Sequence, residues 1–173
     1  NPKLLQIEVD EYIRQRQWEK AFEVSQKLIK MDSSESAVIK NITICIELGK
    51  NEEALSLAAK LYETNPESEN VQMSYIKSLI ANKKNAEALS LIETLLPKAS
   101  SKLKSSLYYE KSRLETSEDK KLSSLRSSLT ANPRHQDALF DLYKLYFNKN
   151  DYRKAQYYLK QVIALNPNDQ ELL

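Results

Sequence analysis

Lys50-Asn51-Glu52-Glu53-Ala54-Leu55-Ser56-Leu57 and Lys84-Asn85-Ala86-Glu87-Ala88-Leu89-Ser90-Leu91 nearly coincide, and they lie 34 residues apart. A fixed period of this length marks a repeat architecture, in which one small supersecondary unit recurs along the chain. The period reaches further in both directions. Asn132-Pro133 and Asn166-Pro167 share the offset of 34, and Asn65-Pro66 precedes Asn132-Pro133 by 67. A small residue recurs at Ala21, Ala54, Ala88 and Ala155, with spacings of 33, 34 and 67. One member is missing, because Lys121-Leu122 stands where an alanine is expected.

Leucines follow the alanine at helical spacing, as Ala54, Leu57, Leu61 and Ala88, Leu91, Leu95. Such spacing lays one apolar stripe along a helix. Two helices joined by a short turn pack roughly 8–10 Å apart, and a small side chain at the crossing permits the short end of that range. A larger one would overpack at about 1–3 kcal/mol. Gly49 fits a left-handed helix C-cap, and Asn82, Asn148 and Asn150 fall at the matching turns. Asp151 reads as an N-cap, while Pro66, Pro133 and Pro167 close the second helix of a pair. The pattern predicts ten helices in pairs, at about 2–16 with 18–31, 35–48 with 51–64, 69–82 with 85–96, 102–115 with 118–131, and 135–148 with 151–165. The tail from Asp169 would open an eleventh. The expectation is one repeat domain over 1–173, with repeats at about 2–34, 35–68, 69–101, 102–135 and 136–169.

Composition agrees. Of 173 residues, 41% are apolar and 29% charged, the balance of a folded chain rather than a disordered one. One glycine and five prolines are too few for a turn-rich β sandwich. Net charge is +2, which favours no class of partner. It is unevenly spread: residues 35–68 hold three basic against six acidic residues, and residues 102–135 eight against four. Cys45 is the only cysteine, so no internal disulfide can form, and its apolar surroundings Ile42-Thr43-Ile44-Cys45-Ile46 suggest a buried, inert thiol. No stretch approaches 18 apolar residues, so no membrane span is expected. The chain starts at Asn1-Pro2 and stops at Glu171-Leu172-Leu173, which reads as a fragment of a longer protein. Cytoplasmic and periplasmic settings both fit.

In this arrangement the chain resembles the tetratricopeptide repeat family, whose pattern is W-x2-L-G-x2-Y…A-x3-F…P. The fifth repeat carries Leu139, Leu142, Tyr146, Tyr152, Ala155, Leu159, Val162 and Pro167 in the large and small slots. The second carries Val38, Cys45, Gly49, Ala54, Leu61 and Pro66, the third Leu79, Ala88 and Leu95 with an early Pro97, and the first Tyr12, Trp18, Ala21 and Leu28. The fourth is degenerate. The resemblance implies an all-α solenoid of five antiparallel helix pairs in a right-handed superhelix, each repeat burying its apolar face against its neighbours. It also implies a concave groove lined by the first helices.

Catalytic chemistry finds little support. His135 is the only histidine, it lies just after Asn132-Pro133 at a helix start, and it reads as an exposed or capping residue. Glu52-Glu53 and Glu118-Asp119 fall in first turns, where they complement the helix dipole. No phosphate-loop, dinucleotide, zinc-protease, CxxC or nucleophile-elbow motif is present, and no cofactor or metal is implied. Asn41-Ile42-Thr43 matches the glycosylation pattern by chance, inside a predicted helix.

Carried over by the resemblance, the groove would be lined by Gln6, Asp10, Ile13 and Arg14, then Ile39, Thr43, Ile46 and Glu47, then Met73, Lys77, Ile80 and Ala81. Ser106, Glu110 and Arg113 follow from the fourth repeat, and Phe140, Lys144 and Phe147 from the fifth. The family's carboxylate clamp for chaperone tails is not implied, because its places hold Gln6, Asp10, Lys40, Asn70 and Ser74. Phe140 and Phe147 share one helix face, either as exposed anchors or as cover for a further repeat. The expected function is a non-enzymatic scaffold that holds a peptide or protein segment along the groove. Two other classes stand beside it. One is a regulatory or tethering segment of a larger enzyme or cell-envelope protein. The other is an RNA-binding helical repeat, which the small net charge disfavours.

Overall fold

A computed structural model describes residues 1–167. The expected helix from Asp169 and the last two residues of the fifth repeat lie outside the described residues. The helices are α1 (Pro2–Arg14), α2 (Trp18–Met31), α3 (Glu35–Glu47), α4 (Asn51–Thr64), α5 (Glu69–Ala81), α6 (Asn85–Leu95), α7 (Ser101–Leu114), α8 (Glu118–Ala131), α9 (Gln136–Asn148) and α10 (Tyr152–Leu165). Among the described residues there is no strand, and each helix begins and ends within two residues of the sequence expectation. The fold is thus the all-α helical repeat. Pro97 cannot donate the N–H that would prolong α6, and a 3-10 turn, Leu96–Lys98, replaces its last turn.

The chain forms two compact bodies, Asn1–Leu91 and Ile92–Leu173. In the N-terminal body α1 packs on α2, α2 on α3, α3 on α4 and α5, and α4 on α5. Its core holds Val9, Ala21, Val24, Leu28, Ala37 and Ile44, flanked by Tyr12, Trp18 and Phe22. A second cluster joins Ile42, Cys45, Ala54 and Ala58 to Leu57, Leu61 and Tyr75. In the C-terminal body α7 packs on α8, α8 on α9 and α9 on α10, around Leu125, Ala138, Leu142, Tyr146 and Ala155.

One turn geometry recurs. Arg16, Gly49, Lys83 and Asn150 all have positive φ, at 54°, 74°, 58° and 61°. The residue after each donates its N–H five residues back: Gln17 to Tyr12 at 2.9 Å, Lys50 to Cys45 at 2.8 Å, Lys84 to Leu79 at 2.9 Å and Asp151 to Tyr146 at 3.0 Å. This is the Schellman arrangement, which satisfies carbonyls left over at a helix end. The turn expected at Asn82 moves by one residue: Asn82 has φ −89°, and Lys83 takes the left-handed position. Asn82 ties the helices instead, its amide donating to Ser78 O at 2.8 Å and Asn51 O at 2.7 Å.

The alanines behave as their size demands. Ala21, Ala54 and Ala88 are fully buried and Ala155 is 2% exposed, each as the fourth residue of its helix. The first helices of the later pairs begin on side-chain caps, and the capping reading of His135 is among them. Ser34, Ser68 and Ser100 Oγ accept from Ala37 N, Val71 N and Leu103 N at 3.4, 3.5 and 3.2 Å, and His135 Nδ1 accepts from Ala138 N at 3.2 Å.

The fourth repeat departs from the rest. Its link is extended, with ψ of 135° at Glu115 and 130° at Ser117, so Thr116 replaces the left-handed residue. Counting from the start of α8 resolves the ambiguity at Lys121-Leu122: Lys121 holds the alanine slot. Ser128 holds the slot of Leu28, Leu61 and Val162, and it bonds reciprocally with Ser105, Oγ to O, at 2.7 and 2.8 Å.

Asn41 is buried and its amide donates to Ser25 Oγ at 2.9 Å, so the Asn41-Ile42-Thr43 match offers no outward amide. Burial pushes the Cys45 thiol up to about 11, with Glu53 adding to the shift and Lys50 opposing it. At pH 8 about one thiol in a thousand would be thiolate, which is the reactive form.

Three outcomes follow. Ala88→Arg should cost about 3 kcal/mol or more by forcing a charge into a sealed slot, while Lys83→Arg in the turn should stay within about 0.5 kcal/mol; denaturant melts would compare them. Gly49→Ala should cost about 1 kcal/mol through backbone strain alone, because its added Cβ meets nothing within 4 Å, and Lys83→Gly should gain up to about the same in the same melts. Cys45 should resist a disulfide reagent at pH 8 in the native protein and react at once in guanidinium.

Candidate functional site

The side chains for a binding surface come from α3 and α5, whose packing leaves a groove of about 380 Å3. Ile39, Ile42, Ile46 and Met73 supply its apolar lining. Lys40, Thr43, Asn70, Ser74 and Lys77 supply the polar part, and Glu35 and Ser36 close one end. The lining follows from helical spacing: Ile39, Thr43 and Ile46 recur along one face of α3, and Met73 and Lys77 along one face of α5. Glu35 is held in place by Ser68 Oγ at 2.6 Å, a bond that ties the start of α3 to the cap of α5. Lys40 Nζ lies 2.7 Å from Asp10 Oδ1, so its charge is already matched.

Of the residues expected to form a groove, Ile39, Thr43, Ile46, Met73 and Lys77 meet here. Glu47 is exposed and Ile80 and Ala81 are half-buried, and none of them lines it. In α1, Gln6 is half-buried, Ile13 packs on the first core cluster, Asp10 faces Lys40, and Arg14 pairs with Glu11.

The C-terminal body holds the others. Glu110 does not stand open as a lining residue should: it is 3% exposed, and Arg113 Nη1 lies 3.1 Å from its carboxylate. The degenerate fourth repeat had set the expected face of α7 wrongly at this position, since a carboxylate can be buried only with partners. Arg113 is exposed and Ser106 half-buried. Phe140, Tyr143 and Phe147 form a ladder of rings at 5.7 and 5.9 Å, and Tyr152 extends it at 5.4 Å. Phe147 is 49% exposed and Phe140 half-buried. Lys144 Nζ sits 4.9 Å from the Phe140 ring and 3.0 Å from Asp141.

The tyrosines of α9 and α10 divide between the helix interface and the surface. Tyr146 and Tyr158 stack in the interface at 5.7 Å, and Tyr146 accepts from Arg126 at 2.7 Å, but Tyr152 and Tyr157 are exposed. Burial pushes Tyr109 well above the usual phenol range, with Asp141 and Asp137 adding to it, and its ring lies 5.0 Å from His135. Burial likewise raises Tyr158. Among the described residues no group of three or more histidine, cysteine or acidic side chains could hold a metal ion, and no helix is long and apolar enough to cross a membrane.

Comparisons with known proteins agree with the geometry. The family described as Tetratricopeptide repeat matches residues 46–105. No curated protein sequence matches the chain significantly. Among solved structures, a thermophilic tetratricopeptide repeat protein of Thermus thermophilus is similar at 15% identity and a TM-score of 0.81, over 99% of this chain and 95% of that one. PilF of Pseudomonas aeruginosa is similar at 14% identity and 0.70, over 99% and 79%. YrrB, described as a repeat protein with an unusual peptide-binding site, is similar at 18% identity and 0.54, over 95% and 85%. At such identities these likenesses speak of fold. The recurring turn, the buried alanines, the match over 46–105 and the shared fold together support a relationship to the tetratricopeptide repeat family.

Proposed function

We propose that this protein is a non-catalytic scaffold whose α3/α5 groove takes a peptide or protein segment anchored by an apolar side chain. The observation that carries the reading is the groove itself. Three apolar side chains, Ile39, Ile46 and Met73, sit together over the buried Ile42 in an open depression beside Lys77, which is exposed and can engage a peptide carbonyl or carboxylate. Small numbers of polar groups around an apolar floor are what orients a bound segment. Methionine adds tolerance for anchors of different shape. The fold favours an interaction role in general, and the binding of peptide by YrrB is an analogy in the same direction. Gln6, Asp10, Ile13, Arg14, Glu47 and Ile80 belong to the same reading, as flanking contacts of a longer segment on the N-terminal body.

A random peptide library selected on the immobilised protein tests this. Enriched sequences should share an apolar anchor, and calorimetry should show binding weakened about tenfold or more by Met73→Glu and by Lys77→Glu, with helicity intact, as expected for loss of a central contact. Lys60→Glu, on an exposed position of α4, should leave affinity unchanged. Selected peptides that bind both groove variants as tightly as the native protein would refute the assignment.

A further inference from the structure

The second cavity of interest belongs to the C-terminal body and owes nothing to the α3/α5 groove. It lies between α8 and α9, has a volume of about 510 Å3, and is lined by Thr116, Lys121, Leu125, Lys144, Asn148 and Lys149, with Glu118, Asp141 and Leu145. That volume is in the range of small-ligand sites, roughly 300–1,000 Å3.

Its position is informative. Two of its lining residues, Thr116 and Lys121, are positions at which the fourth repeat breaks the array's own rules. Thr116 stands where the other turns have a left-handed residue, and Lys121 stands where the other second helices bury an alanine. A lysine in that slot cannot be sealed under a neighbouring helix as alanine is, because its ammonium needs water or an anion. It is half-buried and opens into the cavity instead.

The charges around the cavity do not balance. Lys149 lies 2.8 Å from Glu118 and Lys144 lies 3.0 Å from Asp141. Among the described residues no carboxylate lies within ion-pair distance of Lys121. Three amines against two carboxylates leave one positive charge over. The floor is Leu145 over the buried Leu125, and Thr116 and Asn148 offer neutral hydrogen-bonding groups at the rim.

We propose that this cavity binds the carboxylate of an acidic peptide side chain, with Lys121 as its principal cation. One carboxylate completes the charge balance, whereas a phosphoryl group, at about −1.5 to −2, would overshoot it. The methylenes of a glutamate would cover Leu145 while its carboxylate reaches the Lys121 ammonium. The exposed pairs at Lys144 and Lys149 can re-partner readily, since such pairs are weakly held.

The probe is capped tetraglutamate, titrated into isotopically labelled full chain and followed by NMR, with capped tetraglutamine as the neutral control. Saturable shifts are expected at Thr116, Lys121, Leu145 and Asn148 with tetraglutamate only, and binding should weaken as salt rises. Lys121→Ala gives this slot the residue that the other second helices carry, so the fold should hold while affinity falls about tenfold, the loss of one charge-assisted contact. Lys160→Ala, on an exposed position of α10, should bind as the native chain does. Equal shifts from tetraglutamine, shifts confined to the α3/α5 groove, or unchanged affinity in Lys121→Ala would each overturn the proposal. Tighter binding of a capped phosphoserine tetrapeptide than of tetraglutamate would overturn the choice of carboxylate.

Discussion

Everything regular in this protein depends on how closely the second helix of a pair can approach its neighbours at its fourth residue. Alanine there allows backbones to come near, and the sealed environments of Ala21, Ala54, Ala88 and Ala155 show the space fully used. Close approach has to be aimed, and the turn does the aiming. A left-handed residue five positions before the alanine, followed by an N–H bonded five residues back, fixes where the second helix starts. The two features come as a set, and they are lost as a set in the fourth repeat. There the link is extended, lysine occupies the small slot, and a serine pair, Ser105 with Ser128, holds α7 against α8 by hydrogen bonds.

Much of this was legible in the sequence, for a physical reason. A constraint repeated every 33 or 34 residues writes the same residue type at the same spacing, so the helices could be placed to within two residues. What was not legible lies where several residue types satisfy one constraint. A left-handed turn residue was sought among glycine and asparagine, yet Arg16 and Lys83 also adopt that conformation, and Asn82 does a different job. The serine caps at Ser34, Ser68 and Ser100 were written plainly enough, but serine is common in this chain and its recurrence is easily overlooked. Glu110 was placed on an open face because the fourth repeat gave no register, and its burial is accompanied by a charge pair with Arg113 one helical turn on.

The candidate site divides along the same line. Ile39, Thr43, Ile46, Met73 and Lys77 meet in one groove because the second and third repeats are regular, and regular repeats keep equivalent faces in line. The α8/α9 cavity could not be anticipated, because it exists where regularity fails. A repeat array offers similar surfaces many times over, so an individual binding feature has to arise from a departure, and departures are what a period search discards.

Trp18 is the only tryptophan of the chain, and it packs against the first core cluster. Its indole is therefore an optical witness to one body alone. Emission from Trp18 reports on the region Asn1–Leu91, whereas far-ultraviolet ellipticity sums over the helices of both bodies, and the ten tyrosines, spread from Tyr12 to Tyr158, absorb in each. A repeat chain of this kind is commonly read as a single cooperative unit when its transitions coincide. In this one, the chain's own chromophores allow that cooperativity to be read without any label.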